Sequence, residues 1–256
     1  MNQFSRNLLT FGRRGQEILH KSSVMVLGLG GVGSFAVEAL ARSGVGQLVL
    51  IDKDRVDITN INRQLQATLH TIGELKCDLL KKRIHTINPE CEVITYPVFF
   101  DHDTYEEILE TKVDYIIDAS DTITYKILLI KECLNRQIPF ISVMGAAHKL
   151  DPTQLKIMNL WDTTYDPVAK VIRTKLRKEK VKGKIPVVSS TEPPIIAKYD
   201  EYDGERSNKT MKSQYPPASN AFVPPTAGLI AASYVVRMLL QDIPIPRKQS
   251  VSNGCL

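Results

Sequence analysis

The sequence contains a glycine-rich turn with the spacing of a phosphate-binding loop. The turn reads Gly28-Leu29-Gly30-Gly31-Val32-Gly33, and it lies between the apolar run 24–27 and a helical pattern. Glycines at a strand-to-helix turn let the backbone approach a phosphate closely, and the amides at the helix N-terminus then bind it. We therefore expect nucleotide binding. The turn alone does not separate ATP from the dinucleotides of redox enzymes.

A carboxylate follows at the position where nucleotide-binding folds hold the ribose. Asp52 lies 19 residues after Gly33, at the end of the predicted strand 48–51. A carboxylate there can accept hydrogen bonds from both ribose hydroxyls, which NAD and ATP share. The alternative is that Asp52 only caps the turn after its strand.

Charged and polar residues further along the chain favour ATP. A triphosphate under attack by a carboxylate needs cations at its phosphates and a carboxylate that holds Mg²⁺. Asn60 and Gln64 flank Arg63 in the polar block 59–64, and the residues that can supply the cations and the carboxylate are Arg63, Lys76 and Asp121. Taken singly, each has a simpler interpretation, such as a surface charge or, for Asp121, the N-cap of a helix over 122–136.

Length and composition describe an ordinary globular protein. The chain has 256 residues, of which 43% are hydrophobic and 24% charged, with a net charge of +5. Its four cysteines form no C-x-x-C pair, so a zinc site of two such pairs is excluded and no zinc is expected. The N-terminus does not resemble a signal peptide, which favours the cytoplasm. The apolar stretch 221–240 is interrupted by Pro224-Pro225 and Arg237, so we expect a buried helix and no transmembrane segment.

Short apolar runs alternate with helical patterns over the first 150 residues, which predicts an α/β fold. We expect a Rossmann-like, doubly wound, mostly parallel sheet over residues 1–147, followed by a C-terminal α+β extension over 148–256 in the same integrated domain. The polar segment 199–215 is expected to be a loop. The predicted strands are 24–27, 48–51, 92–98, 115–117, 140–143, 154–160 and 185–189. The predicted helices are 32–43, 74–86, 104–110, 124–136 and 166–180.

Taken together, these motifs resemble the ubiquitin-activating-enzyme-like superfamily of ATP-dependent adenylating enzymes, also called the MoeB–ThiF superfamily. The G-x-G-G-x-G turn, the D-x-D pair Asp52 and Asp54, the N-x-x-R-Q block, Lys76 and Asp121 occur in the order typical of that superfamily. The resemblance implies that Asp52 binds ribose, that Asn60, Arg63 and Lys76 bind phosphates, and that Asp121 binds Mg²⁺. It also implies a homodimer in which an N-terminal arginine, with Arg6 the best match, reaches the partner's site.

Further blocks resemble the tRNA threonylcarbamoyladenosine dehydratases within that superfamily. They are 88–91, 145–147, 151–154 and 190–192. The resemblance implies adenylation of the threonine carboxylate of the modified adenosine next to the anticodon, then ring closure with loss of AMP. Some relatives carry a cysteine where this chain has Val187-Val188, so no enzyme thioester is expected to be obligatory.

A basic helical segment suits an RNA partner, and no DNA partner is expected. Residues 170–184 hold eight Lys or Arg against one acid, and Val168, Ile172 and Leu176 form a narrow apolar stripe. A solvated surface helix is the alternative. The cations assigned to tRNA binding are Arg173, Lys175, Arg177, Lys178 and Lys180.

Two other functions are compatible with the sequence. The first is activation of the C-terminus of a ubiquitin-like sulfur carrier, which the missing C-x-x-C pairs oppose. The second is an NAD-binding redox sensor or regulatory module, in which the cationic residues would have no use. The sequence also leaves open the ring isomer of the product, the tRNA preference, the need for a partner protein, and whether a monovalent cation orders a loop.

Overall fold

The computed structural model describes residues 1–201 and 216–245. Most of the loop predicted over 199–215 therefore lies outside the described residues, as does Cys255.

One seven-stranded sheet forms the centre of the fold, with the strand order β3-β2-β1-β4-β5-β7-β6. All neighbouring strands are parallel except β6, which pairs antiparallel with β7 at one edge. The order reverses between β1 and β4, and ligands of such sheets bind at this point. The strands are β1 (Ser23–Leu27), β2 (Gln47–Ile51), β3 (Glu92–Tyr96), β4 (Tyr115–Asp118), β5 (Phe140–Val143), β6 (Leu155–Asn159) and β7 (Pro186–Ser190).

Helices cover both faces of the sheet. The helices are α1 (Ser5–Lys21), α2 (Gly33–Ser43), α3 (Lys76–Ile87), α4 (Tyr105–Glu110), α5 (Ile123–Arg136), α6 (Pro167–Lys178) and α7 (Val223–Leu239). Successive residues of a strand point to opposite faces. Val24 and Val26 of β1 therefore pack with α1, α2, α3 and α7, whereas Met25 and Leu27 pack with α4, α5 and α6.

The predicted fold class is confirmed, and the predicted strands and helices match with ends shifted by one or two residues. β7 pairs with β5, so residues after 147 add strands to the same sheet, although the division at residue 147 stays a prediction. Helix α1 is not among the predicted helices. Its helical pattern is interrupted at Gly12, where φ is +70° and the helix kinks.

The C-terminal helix begins at the proline pair, as expected. Pro224 and Pro225 lie in the first turn of α7, where a missing backbone N–H costs no helical hydrogen bond. The buried face of α7 is made mostly of small residues and packs against α2. In the described part of the chain, no helix combines the length and apolarity that crossing a membrane requires.

Candidate nucleotide-binding site

A cavity of about 1060 Å³ opens at the carboxyl ends of β1, β2, β4 and β5. Side chains from separate segments of the chain line it, which is the arrangement expected at the strand-order reversal of such a sheet. Ten of the residues predicted for nucleotide binding line this cavity: Gly28, Gly30, Gly31, Asp52, Asp54, Asn60, Arg63, Gln64, Lys76 and Asp121.

The glycine turn requires glycine at two positions for steric reasons. Gly28 has φ +85°, and a Cβ there would lie 2.8 Å from the carbonyl oxygen of Ala119. A Cβ on Gly33 would collide with the carbonyl oxygen of Gly28. Gly33 is not among the residues that line the cavity. It permits the close turn that leads from β1 into α2.

Asp52 both caps its own turn and reaches the glycine turn. One carboxylate oxygen accepts from the backbone N–H of Asp54 at 2.8 Å, and the other accepts from Leu29 N–H at 2.7 Å. Burial raises the pKa of Asp52 above its usual value, against the opposing influence of the Lys76 ammonium. Asp52 therefore does cap the turn after its strand, as the alternative interpretation states. The same carboxylate also lines the cavity, and its remaining lone pairs are available to a ligand.

Lys76 brings a buried positive charge to the cavity wall. It is the first residue of α3, and its ammonium lies 3.1 Å from Asp54 Oδ2 and 4.0 Å from Asp52 Oδ2. The Lys76 side chain is only 6% exposed. The carboxylates of Asp52 and Asp54 hold the ammonium in the cavity wall, where it can attract an anionic ligand.

Arg63 and Asp121 are neighbours in the cavity lining. The Arg63 guanidinium donates to the carbonyl oxygen of Thr59 and to Asn62 Oδ1, both at 2.8 Å. Burial lowers the pKa of Arg63, and the nearby Asp121 carboxylate opposes this shift. Asn60 serves partly as a structural residue, because its Oδ1 accepts from the backbone N–H of Asp57.

Two glutamines support the glycine turn. Gln66 Nε2 donates to the carbonyl oxygen of Leu29 at 2.8 Å and to Gln64 Oε1 at 3.4 Å. Both side chains are buried. Gln64 is predicted from the sequence, whereas Gln66 gives no signal of its own, because a glutamine in a loop is normally exposed.

Asp121 does not cap a helix, so that alternative is wrong. The N-cap of α5 is Thr122, without a side-chain cap hydrogen bond, and Asp121 lies exposed in the cavity wall. No group of three or more His, Cys, Asp or Glu over 1–201 and 216–245 is close enough to hold a metal ion. A single carboxylate nevertheless suits Mg²⁺, which commonly takes one or two carboxylates and completes its shell with phosphate oxygens and water.

The structure adds a buried ion pair that was not predicted from the sequence. Asp118, at the end of β4, pairs with Lys126 of α5, and Ser142 of β5 donates to the same carboxylate. Lys126 also lines the cavity. A lysine on a helix is usually solvated, so nothing in the sequence suggested this partner for the strand-end Asp118.

Arg6 lies on α1, outside the cavity lining. Phe4, two residues earlier, approaches Gly44 at the C-terminal end of α2, whereas the cavity is at the N-terminal end. The 11 residues of α2 span about 16 Å. This separation is too large for Arg6 to reach the cavity of its own chain.

The predicted basic helix is α6, and its apolar stripe is confirmed in part by burial. Ile172 and Leu176 are fully buried, and Val168 contributes to the cavity wall. Two of the five predicted tRNA-binding cations have internal partners: Arg173 donates to the carbonyl and hydroxyl oxygens of Thr163, and Arg177 lies 5.7 Å from the ring centre of Trp161. Lys175, Lys178 and Lys180 lie exposed at the C-terminal end of α6 and just beyond it, and Arg177 is exposed beside Trp161.

The cysteines of the described residues are buried, as expected. Burial raises the pKa of the Cys77 thiol to about 12 and that of Cys91 to about 11. Burial also raises the pKa of Cys133. None of these three thiols is exposed to accept an acyl group.

The sequence profile of the ThiF family matches residues 4–253. The tRNA threonylcarbamoyladenosine dehydratase of Bacillus subtilis (strain 168) is 56% identical over 249 residues, which cover 96% of this chain and 98% of the relative. The enzyme of the same name from Escherichia coli (strain K12) is 32% identical and covers 93% of both chains. An adenylyltransferase and sulfurtransferase, UBA4 of Vanderwaltozyma polyspora, is 36% identical over 150 residues, only 34% of its own length.

Solved structures agree with the sequence comparisons. The crystal structure of E. coli tRNA N6-threonylcarbamoyladenosine dehydratase, TcdA, in complex with ATP superposes with a TM-score of 0.83 at 31% identity over 94% of both chains. The complex of TcdA with AMP gives a TM-score of 0.84 at 32% identity and the same coverage. The expected resemblance to this group of enzymes is confirmed, and the chain belongs to the ThiF family.

Proposed function

We propose that this protein is an ATP-dependent tRNA threonylcarbamoyladenosine dehydratase that acts in the cytoplasm on the modified adenosine next to the anticodon. The observation that carries the proposal is the convergence of Gly28, Asp52, Arg63, Lys76 and Asp121 on one cavity. Relatives of matching length carry this name, and the solved structure of one of them contains ATP.

The proposed reaction has two steps. An oxygen of the threonine carboxylate bonds to the α-phosphorus of ATP, and the bond from that phosphorus to diphosphate breaks. The ureido group then loses a proton and bonds to the acyl carbon, while the bond from that carbon to AMP breaks. The sum is the loss of one water from the nucleoside and the conversion of ATP to AMP and diphosphate. Because the nucleophile is tethered to its electrophile, a high effective molarity favours ring closure over hydrolysis.

Each polar group of the cavity has a role in this proposal. Asp52, with Asp54 and Lys76 beside it, accepts hydrogen bonds from the ribose hydroxyls. The backbone N–H groups of the glycine turn bind phosphate. Arg63, Lys76 and Asn60 stabilise the charge that develops on the phosphates. Gln64 supports the turn, through its contact with Gln66.

Mg²⁺ fits the residues that are present. The Asp121 carboxylate is exposed to the cavity and lies near Arg63, whose pKa it influences. An Mg²⁺ ion held by Asp121 and phosphate oxygens would supply charge neutralisation at the triphosphate.

A homodimer would complete the site. Arg6 is too far from the cavity of its own chain, so its proposed role requires a second copy that places α1 at the partner's phosphates. A mixture of two inactive variants, Arg6→Ala and Lys76→Ala, tests this arrangement. Activity should return in mixed dimers, because one of their two cavities has Lys76 and receives Arg6. No recovery in dimers shown to exchange subunits would exclude the shared site.

The exposed lysines at the C-terminal end of α6 are proposed to bind tRNA phosphates. Lys175, Lys178 and Lys180 carry this role, because their side chains are open to solvent. Arg173 and Arg177 support the helix through Thr163 and Trp161, so their contribution to RNA binding is expected to be smaller.

The decisive experiment is mass spectrometry of tRNA nucleosides after incubation of the protein with threonylcarbamoyladenosine-containing tRNA, ATP and Mg²⁺. The modified adenosine should lose the mass of one water. Lys76→Ala, Arg63→Ala and Asp121→Ala should abolish AMP formation without unfolding the protein. Lys82→Ala is the matched control for Lys76→Ala, because Lys82 lies on the same helix, with 73% of its side chain exposed.

A pyrophosphate-exchange assay tests the alternative activity on a sulfur carrier. If pyrophosphate exchange depends on a protein with a C-terminal Gly-Gly and is not stimulated by tRNA, the proposed function is wrong and the alternative is correct. The absence of any ATP cleavage with modified tRNA would also overturn the proposal.

A further inference from the structure

A buried aspartate joins the basic helix α6 to the cavity wall. Asp166 is only 4% exposed. One carboxylate oxygen accepts from the backbone N–H of Ala169 at 3.0 Å, as the N-cap of α6. The other oxygen accepts from the backbone N–H of Gly145 and from the hydroxyl of Ser189, both at 3.0 Å.

Gly145 belongs to the cavity wall and packs tightly against the start of α6. A Cβ on Gly145 would lie 3.1 Å from Asp166 Oδ1 and 3.2 Å from Val168 Cγ2. Both Gly145 and Val168 line the cavity. This wall is therefore held against the start of α6 by one hydrogen bond, with no room for a side chain on Gly145 between them.

The wall at Gly145 lies on the side of the cavity away from Asp52, the residue proposed to bind ribose. Asp52 follows β2, on one side of β1, whereas Gly145 follows β5, two strands from β1 on the other side. An acceptor that attacks a nucleotide bound over the glycine turn must enter from outside the nucleotide half. Residues 145–147 line this side of the cavity, where an acyl substrate entering from that side would contact them.

The opposite end of α6 carries the exposed lysines. The helix has 12 residues and spans about 18 Å, and fully buried Ile172 and Leu176 fix it on the sheet with α5. A phosphate bound at Lys175 or Lys178 and the wall at Gly145 are thereby held by one rigid element.

We propose that Asp166 is a positioning residue that holds the substrate side of the cavity at a fixed place relative to the tRNA-binding helix. This inference rests on the proposed function. A helix cap alone needs only one acceptor oxygen, and Ser, Thr or Asn would supply it. The second oxygen of Asp166 serves Gly145 and Ser189, so the carboxylate does more than cap α6.

The substitution Asp166→Asn separates the two roles. An amide has one acceptor oxygen, and Asn is as favourable an N-cap as Asp. With the oxygen at Ala169, the amide NH₂ can donate to the Ser189 hydroxyl, but it faces the N–H of Gly145, which then loses its acceptor. We expect kcat to fall by about tenfold or more, since small displacements of a reacting group cost that much. KM for tRNA and the Kd for ATP should stay within about twofold, because the cations and the nucleotide residues are untouched.

Ser189→Ala is the matched control. It removes the other hydrogen bond to the same carboxylate oxygen and leaves the bond to Gly145, so kcat should stay within about twofold of wild type. Gly145→Ala is a second test that does not depend on how the amide is oriented. Its Cβ pushes the wall away from Asp166 and Val168, and kcat should fall as in Asp166→Asn.

The measurements are kcat and KM from steady-state kinetics with modified tRNA, the Kd for ATP from nucleotide titration, and Tm from thermal melting. A normal kcat in Asp166→Asn would overturn the inference, as would a parallel change in kcat, KM for tRNA, Kd for ATP and Tm. If Asp166→Asn does not fold, the result for Gly145→Ala decides in the same way. These failures differ from failure of the proposed function, in which the wild-type protein itself would not dehydrate the tRNA.

Discussion

The Lys126 ammonium lies 3.0 Å from the Asp118 carboxylate, and both side chains are buried close to the turn that carries Asp121. Ser142 Oγ donates to the same carboxylate oxygen at 2.5 Å, and the other oxygen accepts from the N–H and hydroxyl of Ser120. The turn is therefore fixed on β4, β5 and α5 at once. It also contacts the end of β1, because Ala119 N–H donates to the carbonyl oxygen of Leu27.

Removal of the Lys126 charge should destabilise the protein strongly. Lys126→Met leaves Asp118 buried without its cation, and loss of one partner of a buried pair costs about 3–5 kcal/mol. Lys131→Met is the control on the same helix, because Lys131 pairs with Glu179 at the surface, where such pairs contribute about 0–1 kcal/mol. The free energies of unfolding from urea titration should differ accordingly. Equal losses in the two variants would mean that the buried pair does not stabilise the turn.

Protonation of Asp52 should weaken ATP binding and stabilise the folded protein. Burial raises the folded-state pKa of Asp52 above the unfolded value of 3.8, so protonation of this group favours the folded state. Its contribution to stability is fully present below pH 3.8 and is lost as the pH rises through the folded pKa. ATP affinity should fall as the pH drops through that same folded pKa, because a protonated carboxyl group accepts hydrogen bonds from the ribose hydroxyls less well.

Nucleotide titration and urea unfolding between pH 4 and 7 measure the two effects. In Asp52→Ala the part of the pH dependence that comes from this group should disappear from both measurements. An unchanged pH dependence of ATP affinity in Asp52→Ala would exclude the ribose role.

Cys77, Cys91 and Cys133 should be unreactive in the folded protein. The thiolate is the nucleophilic form, and the pKa of about 12 for Cys77 and about 11 for Cys91 leaves almost none at pH 8. In a Cys255→Ser background, a thiol reagent should modify no cysteine until denaturant is added. The same variant should keep full dehydratase activity. Loss of turnover in Cys255→Ser would contradict the mechanism without an enzyme thioester.

The exposed lysines at the end of α6 should set affinity for tRNA and its salt dependence. Lys175→Gln, Lys178→Gln and Lys180→Gln, made together, should raise KM for tRNA and reduce the slope of log Kd against log salt by about 0.7–0.9 for each phosphate that the protein no longer neutralises. ATP affinity should not change. Arg177→Gln is the comparison, because Arg177 lies over Trp161 and should alter stability more than the salt slope. A salt slope that is unaffected by the triple change would place the RNA elsewhere.

The sequence determined the nucleotide half of this protein by itself. The glycine spacing and the strand-end Asp52 are local patterns, and the order of Arg63, Lys76 and Asp121 resembles that of the superfamily. Parallel strands bring their carboxyl ends to one edge. The alternation of apolar runs likewise predicted the sheet. The glycine turn and the strands follow from short-range geometry, so the sequence alone was enough to predict them.

The tertiary structure alone decided which charged groups are buried and what they hold. Lys126 and Asp166 look like ordinary helix residues in the sequence, yet they meet Asp118 and Gly145 from other elements of the fold. The structure also showed that Arg173 bonds to Thr163 and that Arg177 lies over the ring of Trp161. Burial and long-range pairing depend on how helices pack against the sheet, and a periodic pattern reports only which face of a helix is apolar.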